Sequence, residues 1–285
     1  MTDQEAQPER SQGHRLPFEV NCSILFTELP PLERPAAARA AGFDAVEFWW
    51  PFAEAVPGDR EVDEFVSAIR DAGVTLAGLN FAAGDLAAGD RGLVSWPARS
   101  TEFRDNIAAT VGIGAQLGTR VFNALYGNRI DGAPAPEQDE LAVQNLAAAA
   151  TAAAQIGAVV VLEPISAAPR YPLLRAADAI AVADRVERET GVTNVRLLAD
   201  LYHLAVNGDD VDTVIATHAD RIGHVQIADH PGRNEPGTGG LDLDGQLAAL
   251  QAAGYTGWVG CEYQPSTTSA QSFGWLPRAR RAARR

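Results

Sequence analysis

The sequence predicts a (β/α)8 barrel, and three observations carry that expectation. Eight short apolar runs recur through 285 residues, with helix-patterned stretches between them. Most of those stretches end at a glycine just before the next run, at Gly42, Gly73, Gly118, Gly157, Gly191 and Gly254, and glycine is the residue that accepts the left-handed turn closing a helix. The runs are also nearly free of polar residues, as strands buried on both faces of a parallel sheet must be. A doubly wound open sheet is the rival fold, but no G-x-G-x-x-G follows the first strand to favour it.

The first strand is expected over 18–24 (FEVNCSI), directly after a polar opening segment. A helix ending at Gly42 leads into 44–49. The next helix carries Val62, Phe65, Val66 and Ile69 at the i, i+3, i+4, i+7 spacing of one buried face, and after Gly73 comes the strand at 75–80. A long connection over about 82–100 follows, with AAGD written twice and with Arg91 and Trp96 able to reach a bound ligand; loops of this length are often lids. Gly118 precedes 119–124, Gly157 precedes 158–163 (AVVVLE) and Gly191 precedes 195–200 (VRLLAD). The last two strands are placed at 222–228 and 256–262. The flexible turn Pro236-Gly237-Thr238-Gly239-Gly240 lies between them. We therefore expect a disordered arm over 1–17, one barrel domain over 18–265, and an extension over 266–285. Its arginines (Arg278, Arg280, Arg281, Arg284, Arg285) read as a solvated tail, with an oligomer or anion contact as the lesser reading.

Composition excludes several function classes. Apolar residues make up 46% and charged residues 21%, as in ordinary globular chains. A net charge of −14 argues against a nucleic-acid surface. All 23 cations are arginine, so Schiff-base aldolases, pyridoxal-phosphate enzymes and Walker-A nucleotide binders, which need a lysine, are out. Cys22 and Cys261 lie in apolar runs and read as inert buried thiols. No stretch approaches the roughly 18 apolar residues of a membrane span and no signal peptide is evident, so a soluble cytoplasmic protein is expected.

The strands end on polar acceptors: Glu47, Asn80, Asn123, Glu163, Asp200, Gln226 and Glu262. Strand C-termini of a parallel barrel open on one face, so these side chains should meet at one mouth. Glu163 and Glu262 each follow an apolar run in which a lone carboxylate is costly, and a shared cation removes that cost. With Asp200 and Gln226 on the intervening strands, the donors are all oxygen. That set suits Mg²⁺ or Mn²⁺, whereas zinc recruits nitrogen or sulfur. His203, His224, Asp229, His230 and Arg233 add a dense polar cluster, in which the planar fork of Arg233 suits a substrate carboxylate or hydroxyl.

Several stretches carry a family resemblance: NCSILF (21–26), GFDAVEF (42–48), AAGDLAAGDRG (82–92), EFRDNIAA (102–109), LEPI (162–165), DLYH (200–203), GHVQIADHPGRNEPGTG (223–239) and GWVGCEY (257–263). Through them the chain resembles the hydroxypyruvate isomerases of the xylose-isomerase-like sugar isomerases and epimerases. The resemblance implies Glu163, Asp200, Gln226 and Glu262 as ligands of Mg²⁺ or Mn²⁺. It also implies Glu163 and Glu262 as the acid/base pair, His203 and Arg233 as substrate contacts, and Glu47 and His224 as further site positions. Two departures bear on the substrate: Ser166-Ala167-Ala168 replaces a more polar stretch, and Gly240 stands where Glu is common.

The implied reaction interconverts hydroxypyruvate and tartronate semialdehyde (2-hydroxy-3-oxopropanoate) through an enediolate, on a small-molecule hydroxy or oxo acid and with a homo-oligomer as one assembly. Alternatives are a 2-oxo-tetronate isomerase, a ketose 3-epimerase, a metal-dependent sugar dehydratase, and a barrel that binds a sugar acid without turnover. An endonuclease-IV-like nuclease is disfavoured by the acidic charge and by only five histidines.

Overall fold

The computed structural model describes residues 13–282. Eight strands close into one parallel barrel in chain order: β1 (Phe18–Asn21), β2 (Ala45–Phe48), β3 (Thr75–Asn80), β4 (Val121–Asn123), β5 (Val159–Leu162), β6 (Val195–Asp200), β7 (Ile222–Ile227) and β8 (Val259–Cys261). All eight expected strands are present. Some are shorter than the apolar runs suggest. The first stops at Asn21 because the amides of Ile24 and Leu25 turn back to bond the Asn21 carbonyl.

The barrel is wrapped by α1 (Arg34–Ala41), α2 (Asp59–Ala72), α3 (Ser100–Leu117), α4 (Ala135–Ala154) and α5 (Ala176–Thr190). Two short helices, α6 (Leu201–Val206) and α7 (Val211–His218), follow β6, and α8 (Leu243–Ala252) follows β7. In α2 the predicted stripe is the packed one: Phe65, Val66 and Ile69 are buried. The Glu61 carboxylate accepts the Gly58 N–H at its start, and Gly73 ends it at φ 66°.

After β8 the position of the last outer helix is taken by the four-residue α9 (Ser269–Ser272) and two short turns. This extension packs Phe273 against Phe43, with ring centroids 4.6 Å apart, and Trp275 against Phe18 at 5.4 Å. Its arginines are not simply solvated. Arg278 donates to the Ala40 carbonyl and Arg281 to those of Ala41, Phe273 and Leu276, which satisfies the C-terminal end of α1. Arg284 and Arg285 lie outside the described residues. So does most of the expected N-terminal arm. Its end does not behave as an arm, because His14 and Leu16 are buried and the Val259 amide bonds the Pro17 carbonyl.

Candidate active site

The C-terminal ends of the strands surround a cavity of about 340 Å³. Glu163 follows β5, Asp200 ends β6, Gln226 lies near the end of β7 and Glu262 follows β8. Asp200 and Gln226 are partners in register, and all four residues are buried. Asn80, Glu163, His203, Arg233 and Glu262 line the cavity together with Trp49 and Tyr202.

Glu163, Asp200, Gln226 and Glu262 share one pattern: a protein hydrogen bond engages one end of the carboxylate or amide and leaves an oxygen open. Asp200 caps α6, its Oδ1 accepting from the amides of Tyr202 (2.9 Å) and His203 (3.3 Å). Glu262 Oε1 accepts from the Trp49 indole at 2.7 Å, and Glu163 Oε2 from the Asn123 amide at 2.7 Å. Gln226 donates its Nε2 to Glu47 Oε1 at 2.8 Å. That leaves Asp200 Oδ2, Gln226 Oε1 and Glu262 Oε2 buried with no hydrogen-bond partner. Glu163 Oε1 stands 3.8 Å from His203 Nε2. Buried unsatisfied oxygens cost about 1–3 kcal/mol each, so a concentration of them is a strong demand for a cation. An all-oxygen set of three carboxylates and one amide fits a hard divalent ion.

Electrostatics agree with that demand. Burial, reinforced by the charge of Asp200, pushes the Glu163 carboxyl up to about 8. Burial also raises Glu262 well above the usual carboxylate range, against the opposing pull of Arg233. The Arg233 guanidinium stands 3.4 Å from Glu262 Oε2 and 3.8 Å from Asp200 Oδ2, and lies over the Tyr202 ring at 5.5 Å. Its backbone takes φ 58°, a left-handed conformation that a non-glycine residue holds only when its surroundings enforce it. Here the Arg233 N–H bonds the Asp229 carbonyl.

His203 is a neutral donor. Burial lowers its pKa to about 4, and the Ser166 amide donates to its Nδ1 at 3.1 Å. Nδ1 is therefore an acceptor, so the proton sits on Nε2, which faces Glu163 and Asp200. The Ser166 hydroxyl lies 2.7 Å from the same Nδ1 and donates to it. Ser166 thus fixes the tautomer.

Glu47 and His224 do not line the cavity. They form a buried layer beside Gln226. His224 Nε2 lies 2.8 Å from Glu47 Oε2 and 3.1 Å from Glu19 Oε1. Burial alone would depress this imidazole, but the adjoining Glu19 and Glu47 carboxylates outweigh it and raise its pKa to about 10. Glu19 itself is raised to about 7 by burial and by the Glu47 charge. Glu47 Oε1 also accepts from Asn21 Nδ2 at 3.0 Å, so the Glu47 carboxylate can only receive. Its role is to set which end of the Gln226 amide points away from it. Two glycines make room for this layer: a Cβ on Gly260 would lie 2.6 Å from Glu47 Oε1, and one on Gly78 3.1 Å from Oε2.

Asp229, like Glu47 and His224, does not line the cavity. Its carboxylate accepts the backbone N–H groups of His230, Gly237 and Leu241, so it shapes the loop that carries Arg233. Sequence reasoning missed Glu19, Asn21 and Trp49. Glu19 and Asn21 had a signal, since their i, i+2 spacing in an apolar strand turns both to the same face. Trp49 had none, because its contact comes from a residue 213 positions away.

Residues 35–279 match the family described as the xylose isomerase-like TIM barrel. The chain belongs to that family. A Streptomyces coelicolor protein that carries the provisional name hydroxypyruvate isomerase is 55% identical over 94% of this chain and 98% of its own. The hydroxypyruvate isomerase of Escherichia coli is 34% identical, covering 92% and 98%. The 2-oxo-tetronate isomerase of Cupriavidus necator is 35% identical, covering 91% and 96%. Among solved structures, a Brucella melitensis protein described as an AP endonuclease of family 2 superposes with a TM-score of 0.82 at 32% identity, over 92% of this chain and 98% of that one. No helix among the described residues is long and apolar enough to cross a membrane.

Proposed function

We propose that the protein is a divalent-metal-dependent isomerase that interconverts hydroxypyruvate and tartronate semialdehyde. The observation that carries the reading is the set of open, buried oxygens on Asp200, Gln226 and Glu262 beside the Glu163 carboxyl. Glu163, Asp200, Gln226 and Glu262 would hold Mg²⁺ or Mn²⁺, which would supply Lewis-acid stabilisation of negative charge on the substrate oxygens.

The chain's own residues supply the proton chemistry. Conversion of hydroxypyruvate removes a proton from C3 and adds one at C2, while a hydroxyl proton moves from the C3 oxygen to the C2 oxygen. Glu163 and Glu262, on non-adjacent strands at the cavity wall, act as the acid/base pair. A carboxyl raised by burial is a competent base for a carbon acid near neutral pH. The Asn123 amide and the Trp49 indole each hold one oxygen of the pair, which fixes the lone pairs facing the substrate. His203 offers its Nε2–H to a substrate oxygen, and Arg233 stabilises the enediolate from the side of Glu262.

A four-carbon 2-oxo acid is the second reading, favoured by the C. necator 2-oxo-tetronate isomerase being as similar as the E. coli hydroxypyruvate isomerase. Solvent exchange of the C3 protons of hydroxypyruvate, with and without added metal, tests the primary reading. Turnover of 2-oxo-tetronate alone selects the second.

A further inference from the structure

Two cations line the cavity, Arg91 and Arg233, and they differ in what balances them. Arg233 is flanked by the Asp200 and Glu262 carboxylates. Arg91 has no carboxylate within ion-pair distance among the described residues. Its Nη1 donates to two backbone carbonyls of its own loop, Leu86 (3.0 Å) and Asp90 (2.6 Å), while Nε and Nη2 carry no hydrogen bond.

The loop that presents it is pinned. Asp90 Oδ2 accepts from the Asp85 amide (2.8 Å) and from Arg99 Nη1 (3.1 Å). Asn128 donates to the Gly89 carbonyl at 2.9 Å, and the Gly92 amide to Ala83 at 2.9 Å. The expected lid is thus a pre-organised arm. The arm holds a partly buried guanidinium at the cavity wall that His203 also lines.

From this geometry we propose that Arg91 is the specificity-determining residue that reads the carboxylate of a 2-oxo acid substrate through its unused Nε/Nη2 edge. The assignment rests on the isomerase reading above and adds the residue that separates acids from neutral ketoses. Charge count supports it. The carboxylates of Glu163, Asp200 and Glu262 are matched by Arg233 and a divalent cation, which leaves Arg91 as one surplus positive charge for a monoanion. A guanidinium fork matches a carboxylate bidentately, and tethering it beforehand lowers the entropy lost on binding.

The test compares hydroxypyruvate with dihydroxyacetone, which carries a CH2OH group in place of the carboxylate. In Arg91→Gln the ratio of kcat/KM for hydroxypyruvate to the rate of dihydroxyacetone proton exchange should fall about 10²-fold, as expected for a lost charge-assisted pair. Arg91→Lys, with a point charge but no fork, should fall about tenfold. An equal loss on both substrates would mark Arg91 as merely structural and overturn the assignment, as would an unchanged ratio. Calorimetric titration of the Mg²⁺-loaded protein with glycerate, which cannot enolise, separates this proposal from the reaction assignment. Glycerate binding that weakens at least tenfold in Arg91→Gln supports the carboxylate site even if hydroxypyruvate is not turned over. Equal glycerate affinity in both proteins, or none in the wild type, refutes it.

Discussion

Glu47→Gln is the most informative single change, because it keeps the shape of the side chain and alters only what it offers its neighbours. The wild-type carboxylate receives three hydrogen bonds: Gln226 Nε2 at 2.8 Å, Asn21 Nδ2 at 3.0 Å and His224 Nε2 at 2.8 Å. An amide at position 47 has one acceptor oxygen and one NH2 group, and must turn the NH2 either to Asn21 and Gln226 or to the imidazolium of His224. Either orientation sets donor against donor. Hydrogen bonds to a charged group are worth about 1.5–3 kcal/mol. If the loss falls on Gln226, its amide is no longer compelled to present Oε1 to the ligand cavity. Metal affinity should then fall about 10–100-fold, the range typical when a group that orients a ligand is removed. Mn²⁺ affinity can be read from the free-ion signal in electron paramagnetic resonance, without reference to turnover, with circular dichroism confirming the fold. A variant that stays folded and binds Mn²⁺ within twofold of wild type would show that Glu47 does not orient Gln226.

Two further outcomes follow from other parts of the structure. Glu163→Gln and Glu262→Gln should each reduce kcat by about 10³-fold or more with hydroxypyruvate, as loss of a general acid or base does; near-normal turnover in either would remove that residue from the acid/base pair. His14 has its pKa lowered to about 4 by burial and by the Arg280 charge, against 6.5 for the free imidazole. Between pH 4 and 6.5 the unfolded chain therefore binds more protons at this site, and its contribution to stability is complete above pH 6.5 and lost as the pH falls toward 4. Urea unfolding of wild type and His14→Phe at pH 5 and pH 7.5 should show a smaller acid loss in the variant; an equal loss would place His14 outside the titration.

The barrel was legible because parallel strands must be apolar on both faces and helices need a glycine to stop, as at Gly42 and Gly73. The convergence of Glu163, Asp200, Gln226 and Glu262 on one mouth was legible for a related reason: a carboxylate closing an apolar run, such as Glu163 after VVVL, demands a partner. Depth and direction were not. Glu47 and Asp229 are both acids next to strand ends. A register shift between Val46 and Glu47 accompanies the burial of Glu47 in the barrel interior, whereas loop amides occupy the Asp229 carboxylate. Both outcomes depend on partners far along the chain. Glu19 was hidden for the same reason, since its meaning comes from His224, and the contact spans 205 positions. The docking of Leu16 and Arg281 against the barrel is likewise a property of the assembled surface, and a polar, arginine-rich terminus does not announce it.

Under the proposed function, carboxylates at this mouth move a carbon-bound proton only when a divalent cation is present. Proton NMR of hydroxypyruvate in D2O, with chelator-stripped protein before and after adding Mg²⁺, addresses it directly. The expected result is no change without the cation, then loss of the C3 proton signal and appearance of the aldehyde once Mg²⁺ is added. Equal rates with and without the cation would contradict the metal assignment. Aldehyde that forms without uptake of deuterium would contradict proton transfer through Glu163 and Glu262.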